Sequence, residues 1–227
     1  MLKIKKKSKF LAIAILIGGK SSRFGSDKGL FEITGKPLIS YQLEILSTLD
    51  FDIFLIAKSI EQVNNYMKKI DITKINAFIV DEMNNNQNNV LYTPMIGLYS
   101  TFKELKKLNY KKVLALSCDT PLIKKNILEY LIEQCSNVDC CIPQWANGFS
   151  EPLIAVYPVK KALKTARKSI REKTYKLTNL LNPKWRISFI SIEENLKQID
   201  ENLSSFINLN EPSDLEKIKP FFKDSNI

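Results

Sequence analysis

FLAIAILIGGKSSRFGSDKG, residues 10 to 29, is the stretch of sequence that decides the fold. Its apolar half, Phe10 to Ile17, ends at the pair Gly18-Gly19, and polar and charged residues follow. A short continuous apolar run bounded by glycine is typical of a strand buried on both faces. Glycines directly after such a strand allow its backbone N–H groups to approach an anion closely. The stretch therefore predicts a buried strand that leads into a phosphate-binding loop.

The polar half of the stretch supplies side chains that bind phosphate. Ser21, Ser22 and Arg23 follow the glycines, and Asp27-Lys28 closes the set. An arginine can donate two parallel hydrogen bonds to phosphate oxygens, and a lysine can place a compact positive charge beside them. The spacing differs from that of the Walker and dinucleotide-binding loops. An ordinary strand-to-helix turn is the alternative, but the whole spaced set favours a polyphosphate cradle.

Apolar runs alternate with helical patterns along the rest of the chain. We predict strands over residues 10–17, 51–57, 77–80, 113–116 and 153–157. Residues 38–49 carry an apolar stripe at helical spacing, and Thr93-Pro94 and Thr120-Pro121 are typical of helix starts. The alternation predicts an α/β fold with three α/β/α layers and a Rossmann-like, mostly parallel sheet.

The chain has a basic start and no recognisable linker. We predict an N-terminal tail over residues 1–9 and a single domain over residues 10–227. The alternation becomes less regular after residue 137, which indicates an α/β lid or an acceptor-binding subregion there.

Charge and hydropathy limit the possible partners. The formal net charge is +10, but the lysines are spread out and no basic stretch is interleaved with aromatic residues, so we expect no nucleic-acid partner. The apolar run near the start resembles a signal peptide, yet it leads into the phosphate loop instead of a cleavage site. It is also much shorter than the roughly 20 apolar residues that span a membrane. We therefore expect a cytoplasmic protein without a membrane partner.

Residue usage also limits the chemistry. The chain contains no histidine, which excludes a Ser-His-Asp triad and a histidine general base. Catalysis must rest on lysine, arginine, carboxylates and a metal ion. The four cysteines lack C-x-x-C spacing and are predicted to be small buried hydrophobic residues in a reducing compartment.

Two aspartates follow predicted strands. Asp119 ends the run VLALSCD, and Asp81 ends NAFIVD. Ligands of open parallel sheets bind outside the carboxyl ends of the strands, so Asp119 should face the same edge as the glycine loop. A carboxylate at that edge can hold Mg²⁺ against nucleotide phosphates. The alternative role of Asp119 is to cap the next helix.

These motifs resemble those of a known family. LIGGKSSRFGSDKGL, residues 16–30, is similar to the signature L-A-G-G-x-S-x-R-[MF]-G-x-D-K of the molybdenum cofactor guanylyltransferases of MobA type, with Ile17 in place of alanine. Four further segments resemble family motifs in the same order: TPMIGL (93–98), CDTP (118–121), NGFSEPLIAVYP (147–158) and FINLNEPSDL (206–215).

The resemblance implies a Mg²⁺-dependent enzyme that transfers GMP from GTP to the phosphate of molybdopterin or Mo-molybdopterin and releases pyrophosphate. It implies Arg23, Lys28 and Asp119 as catalytic residues, with Asp119 as the metal ligand. It further implies that residues 10–136 mainly bind the nucleotide and residues 137–227 mainly the acceptor. Other proteins of cofactor biosynthesis or molybdoenzyme maturation are partners that it leaves open. The implied nucleotide-binding residues are Leu16, Ile17, Gly18, Gly19, Ser21, Ser22, Arg23, Lys28, Lys58, Asp81 and Asp119, and the acceptor-binding residues are Glu151, Asn208 and Asn210.

Several alternatives remain open from the sequence. Lys58 or Ser59 stands where the family usually has an asparagine that reads the base, so CTP could replace GTP. Lysine has donors and no acceptor, and it cannot accept from guanine N1–H or N2–H₂. The acceptor could also be cobinamide phosphate or a sugar phosphate. For Asn208 and Asn210 the alternative is turn chemistry before a helix. A nucleotide-binding module without turnover is a different class, and nucleic-acid binding is a third.

Overall fold

The computed structural model describes residues 9–18, 27–81 and 93–223 and contains one large sheet. Its strands are β1 (Leu11–Leu16), β4 (Asp52–Ala57), β5 (Ala77–Val80), β6 (Lys112–Ser117), β7 (Cys140–Gln144), β8 (Ile154–Pro158) and β9 (Ile187–Ser191). A small separate hairpin consists of β2 (Glu32–Ile33) and β3 (Lys36–Pro37). The order across the large sheet is β5-β4-β1-β6-β8-β7-β9.

The sheet is mostly parallel, as the sequence predicts. The pairs β1–β4, β1–β6, β4–β5 and β7–β9 are parallel, and only the two pairs that involve β8 are antiparallel. A short hairpin connection joins β7 to β8, and such a connection allows only antiparallel neighbours. Strand β1 lies in the parallel part, where Ile13 is opposite Ile53 on one side and Leu114 on the other.

Helices cover both faces of the sheet. They are α1 (Leu38–Ser47), α2 (Ile60–Met67), α3 (Pro94–Lys107), α4 (Lys125–Gln134), α5 (Val159–Arg171) and α6 (Leu215–Lys223). The side chains of Leu11, Ile13 and Ile15 pack into a buried cluster with α1, α2 and α4. Ala12, Ala14 and Leu16 point to the other face and pack with α3 and α5. This alternation confirms the three-layer α/β/α fold, because successive residues of a strand face opposite sides.

Strands β7 and β9 are absent from the sequence prediction. Residues 140–144 contain Pro143, which lowers the strand propensity of a five-residue segment. Strand β9 lies at one edge of the sheet, and most of its side chains are partly exposed or exposed, so its sequence lacks the continuous apolar character of the inner strands.

One of the two helix starts predicted at a Thr-Pro pair is wrong. Helix α3 begins at Pro94 with Thr93 as its N-cap residue, as predicted, although the Thr93 hydroxyl makes no capping hydrogen bond. Thr120-Pro121 instead lies in a turn, and α4 begins at Lys125. The Thr120 hydroxyl donates to the carbonyl of Ser117 at 3.2 Å, so it stabilises the turn after β6.

The predicted burial of the cysteines is confirmed, since all four are free of disulfides and buried. Burial raises the pKa of the Cys141 thiol to about 12, which keeps it protonated. Within the described part of the chain, no helix combines the length and the apolar character needed to cross a membrane.

Candidate active site

The carboxyl ends of four parallel strands meet at one edge of the sheet. Gly18 follows β1, Lys58 follows β4, Asp81 follows β5 and Asp119 follows β6. This edge is where open parallel sheets bind their ligands. The structure therefore brings together four residues that the sequence predicts for a nucleotide site.

The chain after β1 continues along the end of β4. The N–H groups of Ile17 and Gly18 both donate to the carbonyl of Ile56, at 3.0 and 3.1 Å. A Cβ atom at Gly18 would lie 3.2 Å from the backbone nitrogen of Lys58 and 3.3 Å from its Cβ. Glycine therefore allows a close approach to the end of β4.

Leu16 and Ile17 reach this edge with their backbone, because both side chains are buried in the core. The carbonyl of Leu16 accepts a hydrogen bond from Cys118 N at 3.2 Å. The predicted binding residues Gly19, Ser21, Ser22 and Arg23 lie outside the described residues.

Lys28 and Asp119 form an ion pair at the site edge. Lys28 begins a short 3-10 helix, Lys28–Leu30, and Asp119 lies in the turn directly after β6. The Lys28 Nζ atom is 3.9 Å from Asp119 Oδ2, and the two side chains are 15% and 24% exposed. Asp119 caps no helix, since α4 starts only at Lys125.

The turn that carries Asp119 is held from two sides. The Nε2 atom of Gln42, a buried residue of α1, donates to the carbonyls of Ser117 and Thr120, each at 2.8 Å. On the other side, Leu209 N donates to the Asp119 carbonyl at 2.9 Å. These contacts fix the backbone on which the Asp119 carboxylate is mounted.

Asn208 and Asn210 flank Leu209 and therefore lie beside the Asp119 turn. Asn208 is half-buried, and Asn210 is exposed. The turn chemistry expected for this segment is present, because Asp214 Oδ2 accepts from the backbone of Asn210 at 2.7 Å and of Glu211 at 3.0 Å. A hydrogen bond from Lys217 and these backbone donors lower the pKa of Asp214 to about 2.

Glu151 stabilises the β7–β8 hairpin at the same edge. Its Oε1 atom accepts a hydrogen bond from the indole of Trp145 at 2.7 Å. The Trp145 ring makes an edge-to-face contact with Phe206, with ring centroids 5.8 Å apart. Phe206 leads into the Asn208 segment, so Glu151 connects the hairpin to the chain beside Asp119.

Asp81 is a buried carboxyl without a complete set of partners. It is 7% exposed, and its Oδ1 atom has no hydrogen-bond partner among the residues that the structure describes. Burial raises the pKa of Asp81 to about 6, and the neighbouring Ser100 hydroxyl offsets only part of that rise. A buried acceptor left without a donor can be satisfied by the donor of a ligand.

The sequence analysis missed two buried glutamines. Gln42 holds the Asp119 turn, and Gln62 of α2 accepts a hydrogen bond from the backbone N–H of Lys58 at 2.8 Å. The signal for Gln62 is the capping-box pattern Ser-x-x-Gln, and Ser59 Oγ does accept from Gln62 N at 3.2 Å. Gln42 carried no local signal, because a polar residue within a helix usually lies on its exposed face.

The described residues contain no group of three or more acidic or cysteine side chains that could hold a metal ion. Mg²⁺ does not need such a group, since it commonly binds one or two carboxylates together with waters and substrate phosphates. The partly exposed carboxylate of Asp119, with Asn208 and Asn210 beside its turn, fits that donor set.

Comparison with known proteins finds similar sequences over most of the chain. The family model described as MobA-like NTP transferase domain matches residues 13–183. A probable molybdenum cofactor guanylyltransferase of Pyrococcus horikoshii is 33% identical over 210 residues, which cover 92% of this chain and 98% of that protein. A protein of the same name from Thermococcus sibiricus is 30% identical over 208 residues, with coverage of 90% and 95%.

A solved structure shares the fold. It is molybdopterin-guanine dinucleotide biosynthesis protein A from Archaeoglobus fulgidus, with a TM-score of 0.74 and 23% sequence identity. The match covers 93% of this chain and 98% of that one.

The burial of Asp81 predicts a pH-dependent cost to stability. The folded-state pKa of about 6 exceeds the ordinary 3.8, so the folded chain binds the proton more tightly than the unfolded chain. The free energy of unfolding should then fall as the pH rises from about 4 to 6 and stay reduced above. Asp81→Asn should raise the free energy of unfolding at pH 7 by as much as about 3 kcal/mol and should leave it unchanged at pH 4.

Urea unfolding between pH 4 and 7 measures this effect. Asp50→Asn, which removes an exposed carboxylate, is the matched control and should keep the pH dependence of the unsubstituted chain. The prediction would be contradicted if the free energy of unfolding had the same pH dependence in Asp81→Asn as in Asp50→Asn.

Proposed function

Because the chain belongs to the MobA-like NTP transferase family, we propose that it transfers GMP from GTP to the phosphate of molybdopterin or Mo-molybdopterin and releases pyrophosphate. The observation that carries this proposal is the Lys28–Asp119 pair at the edge of the sheet where β1 and β6 end. Lys28 belongs to the segment that resembles the family signature, and Asp119 belongs to the CDTP segment that resembles a second family motif.

The reaction is an in-line displacement at phosphorus. An oxygen of the acceptor phosphate forms a bond to the α-phosphorus of GTP while the bond to the bridging oxygen of the leaving pyrophosphate breaks. The acceptor phosphate is already anionic and needs no general base, which fits a chain without histidine. Such a reaction depends mainly on positioning and on neutralisation of charge.

The phosphate-binding groups divide this work. Gly18, Gly19, Ser21 and Ser22 cradle the triphosphate, and Arg23 holds the β- and γ-phosphates that leave. Lys28 stabilises the charge that develops near the α-phosphate.

Asp119 would hold Mg²⁺, and Asn208 and Asn210, which flank the residue bonded to the Asp119 carbonyl, would supply further oxygen donors. When bound, the ion supplies positive charge that reduces the repulsion between the two anionic substrates. The acceptor is bound mainly by residues 137–227, and its binding residues there are Glu151, Asn208 and Asn210. Residues 10–136 mainly hold the nucleotide.

The base is recognised by Asp81 and its surroundings. The Oδ1 atom of Asp81, which has no partner within the described part of the chain, can accept from guanine N1–H and N2–H₂ or from ribose hydroxyls. Lys58 stands at the end of β4 and can donate to guanine O6. Because Lys58 replaces the asparagine that usually reads the base, CTP is the second candidate nucleotide substrate.

Asp119→Asn should abolish Mg²⁺-dependent transfer and leave the fold intact, because it removes a charge at a turn and no core packing. We expect a loss on the order of 10² or more in kcat. Pyrophosphate release measures the rate, and circular dichroism checks the fold. Asp71→Asn, at an exposed aspartate, is the control and should keep full activity. Near-normal turnover of the Asp119 variant would contradict its role.

Lys28→Ala should lower kcat more than it weakens GTP binding, because Lys28 acts on charge that develops during displacement. Steady-state kinetics with varied GTP separates the two effects. Lys125→Ala, which removes an exposed lysine from α4, serves as the control. Full kcat at saturating GTP would assign Lys28 to binding alone.

GTP should be preferred over ATP and CTP. A site that accepts from guanine donors leaves its acceptors unpaired with a base that lacks them, and such sites discriminate strongly. Lys58→Asn should preserve or sharpen the preference, as measured by pyrophosphate release with each nucleotide. Equal use of GTP and CTP, unchanged by this substitution, would argue against the guanine assignment.

A further inference from the structure

We infer that Gln62 and Tyr66 of α2 are positioning residues that hold the Asp27 carboxylate and thereby fix Lys28 opposite Asp119. The inference rests on the proposed function, because Lys28 is the group whose placement it explains. Neither Gln62 nor Tyr66 belongs to the signature that the sequence shares with the family.

Gln62 joins three segments of the site with a single side chain. It is 4% exposed and lies in the first turn of α2. Its Nε2 atom donates to the Ile17 carbonyl at 2.9 Å and to the Asp27 carboxylate, and its Oε1 atom accepts from Lys58 N at 2.8 Å. The amide thus connects the residue after β1, the residue after β4 and the residue before Lys28. Both its donor and its acceptor are used, as a buried amide requires.

Tyr66 completes the environment of Asp27. It lies one helical turn after Gln62 and is fully buried. Its hydroxyl donates to Asp27 Oδ1 at 2.7 Å, and Gly29 N donates to the same oxygen at 3.1 Å. Burial, assisted by the nearby Cys118 and Asp27, raises the pKa of Tyr66 and keeps the phenol as a donor. The Asp27 carboxylate therefore accepts hydrogen bonds from Gln62, Tyr66 and Gly29.

The position of the Tyr66 hydroxyl also explains Gly29. A Cβ atom at residue 29 would overlap the hydroxyl oxygen. The 3-10 helix Lys28–Leu30 consequently rests directly on α2, with Asp27 as its N-cap. The carboxylate of Asp27 is used to orient this helix, and the helix presents Lys28 to Asp119 at 3.9 Å.

A positioning role predicts a specific kinetic signature. If Asp27 turns, the Lys28 ammonium loses its alignment with the α-phosphate, while the other phosphate contacts persist. The loss should therefore appear in kcat and not in the KM for GTP. A residue that only stabilises the fold would lower the melting temperature and leave the kcat of the folded enzyme unchanged.

Tyr66→Phe is the mildest test, because it removes one oxygen atom. We expect kcat for pyrophosphate release to fall about tenfold, as for the loss of a hydrogen bond to a charged group, with KM for GTP changed less than about twofold. Tyr110→Phe is the matched control. Its phenol also donates to an aspartate, Asp52, which lies at the start of β4 and so at the opposite edge of the sheet. It should keep full kcat whatever its effect on the melting temperature.

Two further variants test the route through Lys28. Gln62→Met keeps the approximate volume and removes the amide, and it should lower kcat at least as much as Tyr66→Phe. In a Lys28→Ala background, Tyr66→Phe should cause no further loss of kcat, because residues that act as a unit are not additive. Additive losses, or a full kcat in the Tyr66→Phe enzyme, would overturn the inference.

A measurement without substrate separates this inference from the proposed function. Reductive ¹³C-methylation gives an NMR signal for Lys28, which Lys28→Ala assigns by its disappearance. That signal should shift in Tyr66→Phe and Gln62→Met but not in Tyr110→Phe. If the unsubstituted enzyme uses no nucleotide but the Lys28 signal shifts in the two variants, the proposed function is refuted and the positioning role of Gln62 and Tyr66 is supported. An active enzyme with an unshifted signal in both variants would refute the positioning.

Discussion

The parallel pairing of β1 with both β4 and β6 is the constraint on which the rest of the site depends. Parallel neighbours end at the same edge, so the residues after these strands meet there although they are distant in sequence. The register of β1 is fixed because its two faces differ, with Leu11, Ile13 and Ile15 on one side and the smaller set Ala12, Ala14 and Leu16 on the other. A slip by one residue would exchange these faces and disrupt both core layers.

Buried glutamine side chains donate hydrogen bonds to backbone carbonyls where the strands of the sheet end. Backbone carbonyls lose their ladder partners where strands end, and a buried carbonyl without a partner costs free energy. Gln42 satisfies the carbonyls of Ser117 and Thr120, and Gln62 satisfies that of Ile17. Each glutamine lies on a helix of the same face, so this helix layer holds the Ile17 carbonyl after β1 and the turn after β6 through side chains that are remote from them in sequence.

Strands β1, β4, β5 and β6 were predictable, because each contains a run of apolar residues. The same logic failed for β7 and β9, where a proline and partial exposure remove the pattern. Thr120-Pro121 misled the prediction because a hydroxyl followed by proline suits a tight turn as well as a helix start. The predicted apolar stripe of residues 38–49 did not include Gln42, yet Gln42 is fully buried in that helix. Hydrophobic periodicity cannot identify a polar residue that has a tertiary partner.

The sequence by itself determined the layered α/β fold, the strand that leads into the glycine pair and the edge at which charged residues collect. These features follow from hydrophobic patterns that each segment carries in its own sequence. The general rule that crossover connections between parallel strands are right-handed then gives the layered arrangement. Only the tertiary structure decided that Lys28 faces Asp119, that Asp81 is buried with its Oδ1 atom unpartnered among the described residues, and that Gln62 and Tyr66 hold Asp27. The physical reason is that hydrogen bonds and ion pairs depend on distances of a few ångströms between separate elements, and these distances exist only after the helices pack on the sheet.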